Sequence, residues 1–180
     1  MNPLRHAFRY CPHCRTGMTL RAEGGVQRPT CPACGYVQYL NPAPAAAVIL
    51  ERDDGTVCLV QRRYPPREGA WTLPAGFVEY DEHPAASAVR EVAEETGLRV
   101  RLTGLFAVHQ GILPPDHPVV LIVYRGEVTG GELRPGDDAA AVGFFPPGEP
   151  PGPVAFAGHR RVLAALAAGR EDPGIVTGED

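Results

Sequence analysis

Three glutamates close together in the chain could bind a metal ion. Glu91, Glu94 and Glu95 are spaced i, i+3 and i+4, so on a helix they share one face. Hard cations such as Mg²⁺ take carboxylate oxygens together with phosphate oxygens as ligands. Beside the glycine-containing segment at Gly76, this cluster predicts a site for metal-assisted phosphate chemistry.

The same three charges have a simpler interpretation as a solvated acidic helix face. Each like-charged i, i+4 pair costs about 0.2–0.5 kcal/mol, and Arg90 can offset part of this repulsion by reaching Glu94. The helix alone favours neither interpretation.

Four of the five cysteines form two pairs at the spacing of a zinc site. They are Cys11, Cys14, Cys31 and Cys34, in the pattern C-x2-C-x16-C-x2-C. Four thiolates at this spacing can surround Zn²⁺ tetrahedrally, and a segment too short to bury its own core gains folding free energy from the metal. Two disulfides are the alternative, and they fit poorly with a reducing compartment. Four sulfur ligands leave no open position, so we expect a structural role without His13, and we expect Cys58 to be a core residue.

The acidic cluster lies on a predicted helix from Pro84 to Thr96. Proline suits the first helical position, and Gly97 suits the residue after the last. Apolar residues recur at helical spacing and are expected to form the buried face, opposite the glutamates. They are Ala85, Val89, Val92 and Ala93.

Short apolar runs predict strands around this helix. The runs are 45–50, 57–61, 100–108 and 119–128, with another ending at Phe144-Phe145. The first two flank Asp53-Asp54-Gly55, a turn sequence that predicts a hairpin. A second helix is predicted over 158–168, with Val162, Leu163 and Leu166 inward. Strands interleaved with two helices indicate an α/β (α+β) sandwich with a mixed sheet.

The chain divides by composition into four segments. Residues 1–40 contain the cysteine pairs and little that could form a core, and the proline-rich residues 41–44 form a short stiff linker. Residues 45–168 form the main domain. Residues 169–180 lack a hydrophobic pattern and are expected to be a mobile tail.

Composition argues against several functional classes. The net charge of −4 over 180 residues gives no general attraction to nucleic acid or to anionic membranes. No stretch approaches the ~18 consecutive apolar residues of a membrane span, and the N-terminus lacks the apolar core of a secretory signal. We therefore expect a soluble cytoplasmic protein without a membrane partner.

The full spacing around the glutamates resembles a known family signature. The pattern Gly76-x5-Glu82-x7-Arg90-Glu91-Val92-x-Glu94-Glu95-x-Gly97-Leu98 is similar to the Nudix box at every defined position. The preceding residues 71–79 also resemble the family. The resemblance covers roughly residues 45–168, and it favours the metal site over the solvated acidic face.

The resemblance implies a fold, an activity and a set of metal ligands. The fold is the Nudix α/β/α sandwich with a mixed sheet, here preceded by a small zinc ribbon. The activity is hydrolysis of the pyrophosphate bond in a nucleoside diphosphate linked to another moiety. Glu91 and Glu95 are implied as the main ligands of Mg²⁺ or Mn²⁺, and the carbonyl of Ala75 is implied to complete the metal shell.

Four other residues complete the site that the resemblance implies. Glu94 would bind a further metal or assist the attacking water, Arg90 would hold the glutamates in place, and Glu82 would support the site. The family often recruits one more acidic residue from a loop after the box, for which Asp138 is the candidate. A polar turn after Pro135 is the alternative interpretation of that loop.

The zinc ribbon narrows the substrate class. A ribbon ahead of a Nudix domain is similar to NADH pyrophosphatases and to ADP-ribose pyrophosphatase-like proteins. The NADH group usually carries a Ser-Gln-Pro-Trp motif after the box, and this chain has residues 106–111 there without that motif. Pro114 resembles a proline that marks ADP-ribose hydrolases. We therefore expect ADP-ribose or a similar nucleotide sugar, with NADH or NAD as the alternative substrate.

A function of another class stays open from the sequence. The protein could be a nucleotide-sensing module without turnover, or its ribbon could bind nucleic acid. The complete set of glutamates with Arg90 argues against a loss of activity, and the acidic balance argues against a nucleic-acid partner. Family members often pair, so a homodimer is compatible with the resemblance.

Overall fold

The structure is a computed structural model that describes residues 8–114 and 116–170. The chain divides into two compact units between Pro42 and Ala43, a position inside the predicted linker. Most of the expected mobile tail, residues 171–180, lies outside the described residues.

The N-terminal unit is built on one hairpin. Strands β1 (Thr19–Glu23) and β2 (Val26–Thr30) pair antiparallel. The turn residues Gly24 and Gly25 have φ angles of 59° and 80°, in the left-handed region that glycine enters without a steric penalty. One cysteine pair precedes β1 and the other follows β2, so the hairpin joins the two cysteine turns.

The larger unit contains seven strands and two helices among its described residues. In chain order they are β3 (Ala43–Leu50), β4 (Val57–Arg62), β5 (Trp71–Thr72), β6 (Ala75–Phe77), α1 (Pro84–Thr96), β7 (Leu98–Leu113), β8 (His117–Gly131), β9 (Ala139–Phe145) and α2 (Ala157–Ala167). One sheet has the order β6-β3-β8-β7 and the other the order β5-β4-β9. The first sheet is mixed, because β3 runs parallel to β8 while β6 and β7 run antiparallel to their neighbours.

β3 lies in the centre of the first sheet and separates two hydrophobic clusters. Successive side chains of a strand point to opposite faces. Ala45, Ala47 and Ile49 belong to the cluster that contains Val162 and Leu163 of α2, and Ala46, Val48 and Leu50 belong to the cluster that contains Ala88 and Val92 of α1. A helix therefore covers a cluster on each side, which confirms the predicted α/β sandwich with a mixed sheet.

The predicted hairpin around Gly55 forms only at its turn. Arg52 N donates to Thr56 O at 2.9 Å, and Glu51 and Val57 form one antiparallel bridge. Beyond that bridge β3 and β4 enter different sheets, so the prediction that they pair along their length was wrong. Both strands are apolar on both faces, and such a strand carries no signal that identifies its partner.

α1 begins and ends at the predicted residues. His83 Nδ1 accepts a hydrogen bond from Ala85 N at 3.1 Å, proline follows at the first helical position, and Gly97 ends the helix with φ of 71°. The predicted buried face was wrong in part, because Ala93 is exposed. The buried residues are Ser87, Ala88, Val92, Glu95 and Thr96.

α2 confirms the second predicted helix and begins one residue earlier. Val162 and Leu163 are buried, and Leu166 packs partly buried against the same cluster. Burying each of these side chains contributes roughly 1.5–3 kcal/mol. Within residues 8–114 and 116–170, no helix has the length and apolar character needed to cross a membrane.

Candidate active site

β6 is an edge strand whose outer backbone groups face α1. Val48 N donates to Pro74 O at 3.0 Å, and the next pair along the ladder is Ala47 with Ala75. Bonded and non-bonded pairs alternate in an antiparallel ladder. Ala75 and, two residues on, Phe77 therefore direct their N–H and C=O groups away from β3, toward the helix.

Glu95 is held at this outer edge of β6. Its Oε2 accepts a hydrogen bond from Ala75 N at 3.0 Å, and the residue is 8% exposed. The expectation that all three glutamates lie opposite the buried face was therefore wrong for Glu95, because position i+3 from the buried Val92 shares its side of the helix. Burial raises the pKa of Glu95 to about 8 against the effect of the Ala75 hydrogen bond, and the charges of Glu91 and Asp138 add to the increase.

Glu91 lies directly against Gly76. A Cβ atom at residue 76 would overlap the Glu91 carboxylate, so any larger residue there would displace that carboxylate from its present position. Burial raises the pKa of Glu91, and its hydrogen bond with Arg90 opposes that increase. Glu91 and Glu95 therefore converge on two consecutive residues, Ala75 and Gly76.

Arg90 connects the remaining carboxylates of the box. It donates to both carboxylate oxygens of Glu82 at 2.9 Å, and its Nη1 donates to Glu91 and to Glu94 at 2.8 Å each. Its Nη2 also donates to Phe77 O at 3.2 Å. Pairing with Glu82, and then with the other two glutamates, raises the pKa of Arg90 and holds the pKa of Glu82 below its usual range. Glu95 is not among its partners.

The loop before β9 brings Asp138 to the same place. Gly136 N donates to Glu95 O at 3.2 Å, which fixes the loop to the end of α1. Asp138 is exposed, its backbone oxygen accepts from Arg63 N at 2.8 Å, and its charge contributes to the raised pKa of Glu95. Asp137 precedes it with φ of 39°.

All of these acidic groups except Glu82 line one cavity of about 880 Å³. Arg62 and Arg63 contribute positive charge to its wall, and Phe77, 46% exposed, contributes an aromatic ring. β7 and the beginning of α2 supply other parts of the wall, including His109 and His159. The cavity has the size typical of small-ligand sites.

Sequence reasoning did not identify the two histidines. His109 follows the apolar residues 106–108 on β7, and a polar residue at a buried position of such a strand was the available signal. His159 has no comparable signal, because α2 brings it to the cavity only through packing. Its Nδ1 accepts a hydrogen bond from Leu73 N at 3.1 Å, which joins α2 to the segment that precedes β6.

The oxygen donors that line the cavity are of the type that a hard divalent cation prefers. Glu91, Glu94, Glu95 and Asp138 supply four carboxylates to the cavity wall, against two arginines. The carbonyl of Ala75 is directed to the same side as its N–H, which binds Glu95. Oxygen-only donor sets of this kind suit Mg²⁺ or Mn²⁺. A buried carboxylate with a raised pKa is also the group whose charged form a cation would favour most.

The four cysteines of the N-terminal unit fit zinc. Their sulfur atoms all lie within 4.8 Å of one another, with separations of 3.6 Å for Cys11–Cys34, 3.4 Å for Cys14–Cys31 and 3.6 Å for Cys14–Cys34. A tetrahedron with Zn–S bonds of about 2.3 Å has edges of about 3.8 Å. All are free thiols, and these separations are far longer than a disulfide bond.

The larger unit and its site match a known family. A family model described as NUDIX domain matches residues 41–166. The chain belongs to the NUDIX family. The chain is similar to the crystal structure of a NUDIX hydrolase from Nitrosomonas europaea. The two superpose with a TM-score of 0.76 at 30% sequence identity, and the match covers 91% of this chain and 95% of that one.

Two relatives carry more specific names within the NUDIX family. The chain is 41% identical over 113 residues to an ADP-ribose pyrophosphatase of Methanocaldococcus jannaschii, covering 61% of this chain and 65% of that protein. It is 31% identical over 164 residues to a NAD-capped RNA hydrolase NudC of Chromobacterium violaceum, covering 89% of this chain and 59% of that protein. The chain thus spans less than two thirds of the length of either relative.

Proposed function

We propose that this NUDIX-family protein is an enzyme that hydrolyses the pyrophosphate bond of a nucleoside diphosphate linked to another moiety. One observation carries the proposal: the Glu91 and Glu95 carboxylates converge on Ala75 and Gly76 in the wall of a cavity large enough for a nucleotide. A solvated acidic helix face, the alternative from the sequence, would not bury one of its carboxylates beside two others.

Glu91, Glu95 and the Ala75 carbonyl would hold Mg²⁺ or Mn²⁺. When bound, such a cation would neutralise the charge that develops on the pyrophosphate oxygens and would make a water molecule more acidic. Glu94, whose side chain is 41% exposed, would bind a further cation or orient the attacking water. Its exposure leaves one side of the carboxylate open to the cavity.

Arg90, Glu82 and Asp138 have supporting roles in this proposal. Arg90 holds Glu91 and Glu94 in fixed positions, and Glu82 orients Arg90 through two hydrogen bonds. Because the site depends on carboxylates placed to within a fraction of an ångström, such support has a direct catalytic effect. Asp138 is the candidate for the additional acid or base, since it is exposed to the cavity beside Glu95.

We propose ADP-ribose or a similar nucleotide sugar as the substrate. The support is the name of the M. jannaschii relative and the proline at position 114. NADH or NAD is the alternative, and the name of the NudC relative supports it, although this chain lacks the Ser-Gln-Pro-Trp motif. A nucleotide sensor without turnover is the alternative of another class.

We further propose that Cys11, Cys14, Cys31 and Cys34 hold a structural Zn²⁺. A site closed by four sulfurs offers no position for substrate. A cytoplasmic location stays a prediction from the sequence. A homodimer stays a prediction from the family resemblance.

The decisive experiment measures product release from ADP-ribose, NADH, diadenosine polyphosphates and nucleoside triphosphates, with Mg²⁺ and with Mn²⁺. Glu95→Gln keeps an acceptor for Ala75 N and removes the charge, so we expect kcat to fall at least about 100-fold. Glu68→Gln, exposed and outside the cavity, is the matched control and should retain wild-type turnover. Binding of a nucleotide by the wild type without any turnover would contradict the enzyme and favour the sensor.

A further inference from the structure

His109 is a buried imidazole without a hydrogen-bond partner. The residue is 1% exposed, and neither ring nitrogen is paired within the described part of the chain. It lies on β7 and pairs with Leu121 of β8. The beginning of α2 packs over it, because a Cβ atom added at Gly158 would lie 3.9 Å from the Cβ of His109. The residue belongs to the wall of the cavity described above.

An orphaned buried imidazole is costly for the folded protein. Leaving a buried donor or acceptor unpaired costs about 1–3 kcal/mol, whereas an apolar side chain of similar shape avoids that cost. Nearly all buried polar groups in proteins have partners. A polar group that breaks this rule in a cavity wall, and not in the closed core, is best explained by a ligand that completes it.

The surroundings keep this imidazole neutral. Burial, and then the charge of Arg161 on α2, lower the pKa of His109. Its neighbour His159 accepts the Leu73 N–H through Nδ1, so the proton of His159 resides on Nε2. Burial and the nearby Arg62 lower the pKa of His159 to about 4. β7 and α2 therefore each contribute an imidazole that is kept uncharged to the cavity wall.

We propose that His109 is a specificity-determining residue that hydrogen-bonds an uncharged polar group of the substrate, a sugar hydroxyl or the edge of the base. The proposal rests on the proposed function and deepens it. A neutral imidazole offers one donor and one acceptor. Hydroxyls and base edges offer the complementary acceptor and donor. A phosphate offers acceptors only and would leave one nitrogen unpaired.

The geometry allows this contact with little movement. His109 already lines the cavity, and the second torsion of a histidine side chain is broad, so the ring can turn about it to meet a ligand. The carboxylates that would hold the cation and the phosphates come from α1 and from the loop before β9, whereas His109 comes from β7. His109 therefore discriminates between substrates by the uncharged part that they carry.

The test compares His109→Leu, His109→Asn and wild type on ADP-ribose, ADP-glucose and UDP-glucose. We expect His109→Leu to raise KM for the preferred substrate about three- to tenfold, the effect of one lost neutral hydrogen bond, with kcat within about twofold. Its melting temperature should equal or exceed that of the wild type, because the unpaired nitrogens are gone. His109→Asn keeps a donor and an acceptor and should recover part of the affinity.

The substrate panel identifies the group that His109 contacts. A loss confined to ADP-ribose indicates the terminal sugar, whereas equal losses for both adenine nucleotides, with UDP-glucose spared, indicate the base. Val123→Ala is the control for core damage, since Val123 is fully buried on β8 and outside the cavity wall. It should lower stability and leave the ratios of KM between substrates unchanged.

The possible outcomes separate the role of His109 from the proposed function. Unchanged KM values in His109→Leu, with wild-type turnover intact, would overturn the role of His109 and leave the proposed function standing. If the wild type binds a nucleotide but does not turn it over, calorimetric Kd values replace KM in the same comparison. If His109→Leu does not fold, side-chain ¹⁵N spectra of histidine in Glu95→Gln decide: resonances of His109 that do not move on addition of ADP-ribose would overturn the proposal. A wild type that neither binds nor hydrolyses any compound would overturn the proposed function and this inference with it.

Discussion

The backbone N–H of Ala75 donates a hydrogen bond to Glu95 Oε2 at 3.0 Å. This contact joins an edge strand to a buried helix carboxylate. It also orients the Ala75 carbonyl to the same side, because both groups of a non-bonded strand residue point outward together. The edge of the sheet and the helix that carries the carboxylates are thus directly joined.

Removing the charge of Glu95 should abolish the stabilisation of the protein by added metal. At about 100-fold excess over its Kd, a ligand stabilises the folded state by about 2.7 kcal/mol. We therefore expect Mg²⁺ or Mn²⁺ to raise the melting temperature of the wild type and of Glu68→Gln by several degrees, and that of Glu95→Gln hardly at all. Without metal, Glu95→Gln should melt close to the wild type at neutral pH, because burial raises the pKa of Glu95 to about 8 and keeps the wild-type carboxyl largely protonated. Calorimetry with EDTA and with added cation measures both effects, and an equal metal response in both variants would exclude Glu95 as a ligand.

Gly76→Ala should displace the Glu91 carboxylate. The added methyl group overlaps that carboxylate, so either Glu91 or β6 must shift. We expect kcat/KM to fall about 10- to 100-fold, the effect typical of losing the support of a metal ligand. Gly104→Ala is the matched control, because nothing lies within 4 Å of its added Cβ. Wild-type kinetics in Gly76→Ala would mean that the position of Glu91 is unimportant.

Cys31→Ser should lose zinc, and Cys58→Ala should retain it. Cys31 is buried in the four-sulfur cluster, whereas Cys58 is buried in the core beside α1. Elemental analysis of the purified wild type and of Cys58→Ala should give one zinc per chain. Substoichiometric zinc is expected for Cys31→Ser, because three sulfurs hold the ion less tightly. Zinc-free wild type that retains a folded N-terminal unit would contradict a structural metal.

Stability should depend on pH through His159. The unfolded state binds a proton near pH 6.5 and the folded state only near pH 4, so in this window the unfolded state holds more protons. The contribution of His159 to the free energy of unfolding therefore falls as the pH falls from about 6.5 to about 4, by up to about 3 kcal/mol. The raised pKa values of Glu95 and Glu91 act in the opposite direction over this range, so the His159 contribution is read from the difference between the wild type and a variant. His159→Asn can still accept the Leu73 N–H but does not titrate, so its stability should gain on that of the wild type as the pH falls. Urea unfolding at several pH values measures the difference, and the exposed His117→Asn is the control that should follow the wild type.

Asp138→Asn should impair turnover more than Asp137→Asn. The charge of the Asp138 side chain contributes to the raised pKa of Glu95. Asp137 instead accepts a hydrogen bond from Arg63 Nη1 at 2.9 Å through its backbone carbonyl, which the substitution leaves in place. Asparagine also tolerates the positive φ of position 137. We expect kcat to fall about tenfold or more for Asp138→Asn and less than about twofold for Asp137→Asn. The reverse order in initial-rate measurements would identify Asp137 as the additional acid or base.

Local signals in the sequence were sufficient to predict α1, the helix that carries the three glutamates. Proline at the first position and glycine after the last act on their own turn of helix, so no distant residue is needed to read them. The spacing of the four cysteines likewise predicted a cluster that the structure brings within 4.8 Å.

Only the tertiary structure shows which distant segments of the chain contact one another. β3 and β4 are adjacent in the chain and separate into two sheets, because a strand that is apolar on both faces can pair equally well with many partners. The burial of Glu95 becomes visible only when the edge of β6 packs against α1. Helical periodicity alone placed all three glutamates on one exposed face. The unpaired imidazole of His109 depends on how α2 lies over β7.

The sequence by itself determined the helix, the clustering of the four cysteines and the family, because these depend on residues a few positions apart or on a contiguous pattern. Which carboxylate is buried, which backbone carbonyl faces it and which histidines line the cavity were decided by the packing of segments up to 86 residues apart, as in the Leu73–His159 hydrogen bond. Such contacts depend on the free energy of the whole fold, so no local propensity encodes them.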